Sequence, residues 1–99
     1  MVIINDQDCF LIRTILRKLD NLNIYGGKHK SIVRVYRAVP SHLRGRAKEL
    51  LDYLCKKEII VAKQTVEDLH IHLNETRSKT IKQICLTESA GEIRNLLEQ

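Results

Sequence analysis

One proline, at position 40, is the only one in the chain, and it stands between two stretches of helical patterning. Its ring disfavours helix at Val39, so the segment before it must stop there and the next must start afresh. Upstream, Ile32, Val35, Tyr36 and Val39 share one side of a short helix that Ser31 can cap. Downstream, Leu43, Ala47, Leu50 and Leu54 recur at i, i+4, i+7 and i+11. That spacing predicts a helix over about 42–57 with a buried stripe and Ser41 as its cap. The turn between the two is tight.

A first helix is expected over about 7–22, carried by Leu11, Ile12, Ile15, Leu16, Leu19 and Leu22, with Asn5, Asp6 or Asp8 at its start. Tyr25-Gly26-Gly27-Lys28 breaks it from the second. After residue 57 the period changes. Ile59-Ile60-Val61-Ala62-Lys63-Gln64-Thr65 is β-branched, and Leu69-His70-Ile71-His72-Leu73 alternates strictly, histidine outward. Val66-Glu67-Asp68 is then a hairpin tip of ordinary length, without an Asn-Gly or Asp-Gly signal. Helical spacing returns from Asn74 with Ile81, Ile84 and Cys85, and breaks over 87–92. Ser89 and Glu92 form a capping-box pair before Ile93, Leu96 and Leu97. With no repeat, linker or low-complexity tract, the expectation is a single domain over 1–99, mainly helical, of α+β class.

Several classes are disfavoured. The longest apolar runs are four or five residues, so no membrane span is expected. The start, MVIINDQD, is acidic and has no apolar run like that of a signal peptide, which makes a cytoplasmic location the default. Cys9, Cys55 and Cys85 are odd in number and widely spaced, each within an apolar helical pattern. They read as small buried hydrophobes, not as a disulfide or zinc framework.

The charge is unevenly placed. Lys plus Arg number 17 against 12 Asp plus Glu, a net of +5. Yet the 28 residues between Asp20 and Glu49 hold no acid at all, and carry Lys28, Lys30, Arg34, Arg37, Arg44, Arg46 and Lys48 with His29 and His42. Outside that stretch ten bases face twelve acids, so the whole positive excess is local. A solvated face usually mixes signs, because like charges repel. A concentrated one reads as a surface for a polyanion.

The segment 32–39, the Pro40-Ser41 turn, 43–54 and the hairpin over 59–73 together resemble the winged helix-turn-helix family, in the form of the small regulators of archaea and their viruses. The resemblance covers nearly the whole chain and rests on element order. It implies a three-helix core with a β-hairpin wing and C-terminal helices, and a sequence-specific binder of double-stranded DNA acting as a transcriptional regulator. In that family the helix over 42–57 enters the major groove with its N-terminal residues leading. At about 100° per residue, the buried stripe leaves Gly45, Lys48, Glu49, Asp52 and Lys56 outward and Arg44 and Arg46 on the shoulders. The base-contacting candidates are therefore Ser41, His42, Arg44, Gly45, Arg46 and Lys48. Lys28, Lys30, Arg34, Arg37 and Lys63 are candidates for phosphates. Gly45 is unusual, since an interior helix glycine costs about 1 kcal/mol and only a close approach rewards it here. Family wing tips are usually basic, whereas this one is Glu67-Asp68; it either stays off the phosphates or faces a protein. A winged-helix protein-interaction module in a nucleoprotein or transcription complex is the alternative function.

Enzyme readings are weaker, and no cofactor or small-molecule ligand is indicated. Gly26-Gly27-Lys28 fails as a phosphate loop, because Leu22 and His29 fill the places of its first glycine and its Ser/Thr. His70 and His72 share a strand face but lack an evident third metal donor. Arg37 and His42 match the Arg-x4–6-His spacing of a helical ribonuclease family, but Pro40 lies between them and a hairpin follows. Neither a two-metal carboxylate cluster nor an acyl-transfer triad is legible. Stacking of unpaired bases needs several exposed rings, and with Phe10 and Tyr36 expected in helix cores, duplex is favoured. The surplus helices over about 75–98 offer Ile81, Ile84, Ile93, Leu96 and Leu97 as a homodimer contact, unless they fold back over the first helix.

Overall fold

A computed structural model describes residues 2–99. Helix α1, Asp6–Asn21, opens on a reciprocal capping box. The Asn5 side chain accepts from the Asp8 N–H at 2.8 Å, and Asp8 Oδ2 accepts from the Asn5 N–H at 3.0 Å. Its inward stripe, Cys9, Ile12, Ile15, Leu16 and Leu19, is fully buried and forms the axis around which the other elements pack. The helix ends through Asn23 at φ 54°, a left-handed position that asparagine tolerates. Gly26 follows at φ 55°, with the Glu75 carboxylate 3.3 Å from where a Cβ would stand, so this turn requires glycine.

Next come strand β1, Lys30–Ser31, helix α2, Ile32–Tyr36, and, past Pro40, a 3-10 turn over Ser41–Leu43 leading into helix α3, Arg44–Lys56. Ser31 caps α2 as expected, accepting from the Val33 N–H. Ser41 does not cap α3: the 3-10 turn leads directly into the helix, and no side-chain cap is made. Strands β2, Ile60–Gln64, and β3, Leu69–Leu73, form the expected hairpin. Strand β1 was not expected. It pairs antiparallel with β3, Ser31 opposite His70, giving a three-stranded sheet in the order β1-β3-β2.

Burial fades along the hairpin. Ile60 is buried, but Val61, Ala62, Lys63 and Gln64 are all exposed, so the outer half of β2 projects beyond the core. The turn is tighter than expected. Thr65 N–H donates to the Asp68 carbonyl at 2.9 Å, leaving Val66 and Glu67 at the tip. Asp68 turns back, accepting from the Ser31 hydroxyl. The acidic tip is thus one residue, Glu67.

Helices α4, Ser78–Leu86, and α5, Ala90–Leu97, fold back over α1. Ile81, Ile84, Ile93 and Leu97 are 0% exposed and Leu96 7%, all inside the chain's own core. These five side chains are therefore not a surface contact for a second copy, because α1 already covers them. Arginines strap this layer down. Arg13 donates to the Thr87 carbonyl at 2.8 Å and Arg17 to that of Cys85 at 2.7 Å, which satisfies terminal carbonyls of α4. Arg94 holds Asp6 at 2.7 Å. Ser89 caps α5, but Glu92 accepts from Thr87 instead of closing the box.

The fold is α+β and mostly helical. Among the described residues no helix is long and apolar enough to cross a membrane. Phe10 departs from its expected core position, since it is exposed beneath the Arg13 guanidinium, 4.9 Å from the ring centre. Cys55 is only half-buried, while Cys9 and Cys85 are buried and all three are free. Burial pushes the Cys85 thiol up to about 11.

Candidate nucleic-acid interface

Among the described residues, ion pairing is sparser inside the acid-free segment, one of seven cations, than outside it, four of ten. Outside the acid-free segment Arg13, Arg17, Lys82 and Arg94 hold acids. Inside it, among the described residues, only Arg46 does. Among the described residues, Lys28, Lys30, Arg34, Arg37, Arg44 and Lys48 make no ion pair with an acid, although Glu49 follows Lys48 directly and is held by Arg46 instead. A cation with no internal partner keeps its field available to an external anion.

Arg46 requires a correction. Its guanidinium grips Asp8 through both oxygens, Nε to Oδ1 at 2.9 Å and Nη2 to Oδ2 at 2.6 Å. It also holds Glu49 at 2.6 Å and the Ile3 carbonyl at 2.7 Å. Asp8 is buried, and the guanidinium beside it, more than the Asn5 N–H, holds its carboxyl below the ordinary carboxylate value. The same pairing raises Arg46 further above its normal range. Arg46 ties α3 to the N-terminus of α1 and is not free to read a base.

The remaining base-contacting candidates, Ser41, His42, Arg44, Gly45 and Lys48, are all exposed at the start of α3. Nothing lies within 4 Å of where a Gly45 Cβ would stand, so no internal contact accounts for the glycine. Of the phosphate candidates, Lys28, Arg34, Arg37 and Lys63 are exposed and Lys30 is half-buried.

Three of them converge on a fourth cation that the sequence did not mark. Lys18 of α1, Lys30 of β1, and Arg34 and Arg37 of α2 line a cleft of about 240 Å³ floored by Ala38, with no acid in its wall. Lys18 lies outside the acid-free stretch, two residues before Asp20; its only signal is its place near the end of a helix packed against α2. Lys28 and Lys63 do not line this cleft. A larger cavity, about 810 Å³, lies elsewhere, between the N-terminal Val2, Ile3 and Ile4 and Tyr53 of α3, and its Arg94 is already paired with Asp6.

No family model, curated protein or solved structure matches this chain. The site is therefore read from its own residues. Among those described, no group of three or more His, Cys, Asp and Glu side chains is arranged to hold a metal ion.

Proposed function

We propose that this chain binds double-stranded DNA sequence-specifically as a transcriptional regulator, through a winged-helix arrangement. In this reading the N-terminal half of α3 lies in the major groove and the Lys18–Lys30–Arg34–Arg37 cleft takes a backbone phosphate. The observation that carries it is the clustering of unpaired cations: six of the segment's seven stand without an acid, and three of them line one cleft with Lys18 and no acid in its wall. The projecting hairpin, and the short strand that docks it beside α2, support the winged-helix reading. The aromatics support duplex over single strands. Tyr25 is half-buried and donates to Asp20 at 2.7 Å, Tyr53 lies against Lys57, and Phe10 against Arg13, which leaves no platform of open rings among the described residues.

The test is fluorescence anisotropy on mixed-sequence duplex at roughly 50 and 200 mM salt, followed by selection of a preferred site from a random pool. Binding should weaken steeply with salt. Lys30→Ala with Arg34→Ala should reduce the log–log slope by about 0.9 per lost contact, equally on all sequences. Arg44→Ala with Lys48→Ala should cost more on the selected site than on random duplex, by about 1–3 kcal/mol per base contact. Absence of duplex binding at low salt refutes the proposal.

One observation favours the protein-interaction alternative. Val66 stands fully exposed at the hairpin tip beside Glu67, a poor surface for phosphates and a usable one for a protein. If the basic variants leave duplex binding unchanged, that reading takes precedence.

A further inference from the structure

The His29 and His70 rings meet Nδ1 to Nδ1 at 2.6 Å, with ring centres 4.7 Å apart and planes at 65°. His29 stands on the turn before β1, and His70 on β3. Two nitrogens at that distance must share one hydrogen, since two lone pairs repel and two N–H groups collide. The other nitrogen of His70, Nε2, lies 2.9 Å from Asp68 Oδ1. A carboxylate there favours hydrogen on Nε2, so neutral His70 accepts at Nδ1 from His29. Asp68 is anchored by the Ser31 hydroxyl at Oδ2. Its Oδ1 is buried, and the His70 N–H is not aligned on it, so the oxygen has no well-directed donor. A metal fits poorly between the rings, because the carboxylate lies on the far side of His70.

One added proton is accommodated. His70 then donates from both nitrogens, to His29 and toward Asp68, and the half-buried carboxylate faces a cation. A second proton puts hydrogen on both Nδ1 atoms, and the rings must part. Glu67 and Asp68 on the hairpin turn favour protonation, whereas Lys30 of β1, Arg34 of α2, Lys63 opposite His70 on β2, and the adjacent Lys28 oppose it. Lys30 and Arg34 line both the cavity around this pair, about 500 Å³, and the cationic cleft. A phosphate held by those two cations cancels their opposition, so the anion and the second proton favour each other.

We propose that the His29–His70 pair, seated on Asp68, is a proton-operated latch between the turn before β1 and the hairpin. It opens on its second proton and thereby strengthens phosphate binding in the adjoining cleft, the latter half resting on the nucleic-acid reading above.

Histidine ¹H–¹⁵N NMR on the whole chain, titrated over roughly pH 5 to 8, tests the latch itself. At the alkaline end His29 should show the Nδ1–H tautomer and His70 the Nε2–H tautomer. Acidification should give two separated steps, each felt by both rings, that collapse to one step for His70 in His29→Gln. Independent single steps at the two rings in the intact protein overturn the latch. Anisotropy on mixed-sequence duplex near pH 8 and pH 5.5 tests the regulation, linkage limiting the gain to about tenfold per pH unit for one proton. Affinity should rise several-fold at the lower pH; His29→Gln should remove most of the rise, and His72→Gln should retain it. Coupled titration with pH-independent affinity overturns the regulatory half alone. Absence of binding at either pH refutes the nucleic-acid reading and that half with it, while the NMR still decides the latch.

Discussion

Replacing Arg46 with alanine should damage the fold before it damages any recognition. The Asp8 carboxylate is 5% exposed at its side chain and receives both of its charged hydrogen bonds from this guanidinium. With Arg46 gone, one main-chain N–H from Asn5 remains. Breaking a fully buried pair costs about 3–5 kcal/mol. Arg46 is 32% exposed at its side chain, so water screens part of the interaction and a loss of about 2–3 kcal/mol is expected. In a domain of this size that is a fall in Tm of about 10–20 °C. The pH dependence has a definite sign. The folded-state value of Asp8 is depressed below its ordinary 3.8, so the pair stabilises above that value and is lost as pH falls through the lower, folded one. The gap between wild type and Arg46→Ala should therefore be full at pH 7 and shrink below about pH 4. Urea unfolding of wild type, Arg46→Ala, Asp8→Asn and the double variant measures the coupling directly and separates it from the exposed Glu49 contact. A loss under about 0.5 kcal/mol at pH 7, or a gap that widens on acidification, refutes the structural assignment.

Two other substitutions separate stability from binding. Gly45→Ala meets no atom within 4 Å and, at the second residue of α3, should stabilise the helix in thermal unfolding by less than the ~1 kcal/mol of an interior position, while weakening duplex affinity if the helix approaches its groove closely. Unchanged affinity would remove the functional account of the glycine. Ile84→Ala, at a side chain 0% exposed against α1, should cost about 2–5 kcal/mol at every protein concentration. A dimer-interface residue would instead show a concentration-dependent Tm and a change in sedimentation, and that outcome would reinstate the C-terminal helices as a subunit contact.

The sequence by itself determined the elements and where they break. Helical stripes at 11–19 and 43–54, the alternation over 69–73 and the Ser89 cap depend on backbone geometry within a few residues, and each lies near its expected place, whereas α2 stops at Tyr36, three residues short of the expected Val39. The acid-free stretch was equally legible, being a matter of order along the chain. Strand β1 was not, because two residues carry no period and their pairing with β3 spans some forty positions. Only the tertiary structure decided which cations are free. Arg46 met Asp8 because α3 crosses the start of α1, Lys18 joined Lys30, Arg34 and Arg37 because α1 ends beside α2, and Asp68 left the hairpin tip for Ser31. It also gave α4 and α5 to α1, placing inside the chain the apolar face that the sequence offered to a partner. Local spacing fixes which face of an element is apolar or charged; what covers that face depends on contacts between residues far apart in the chain.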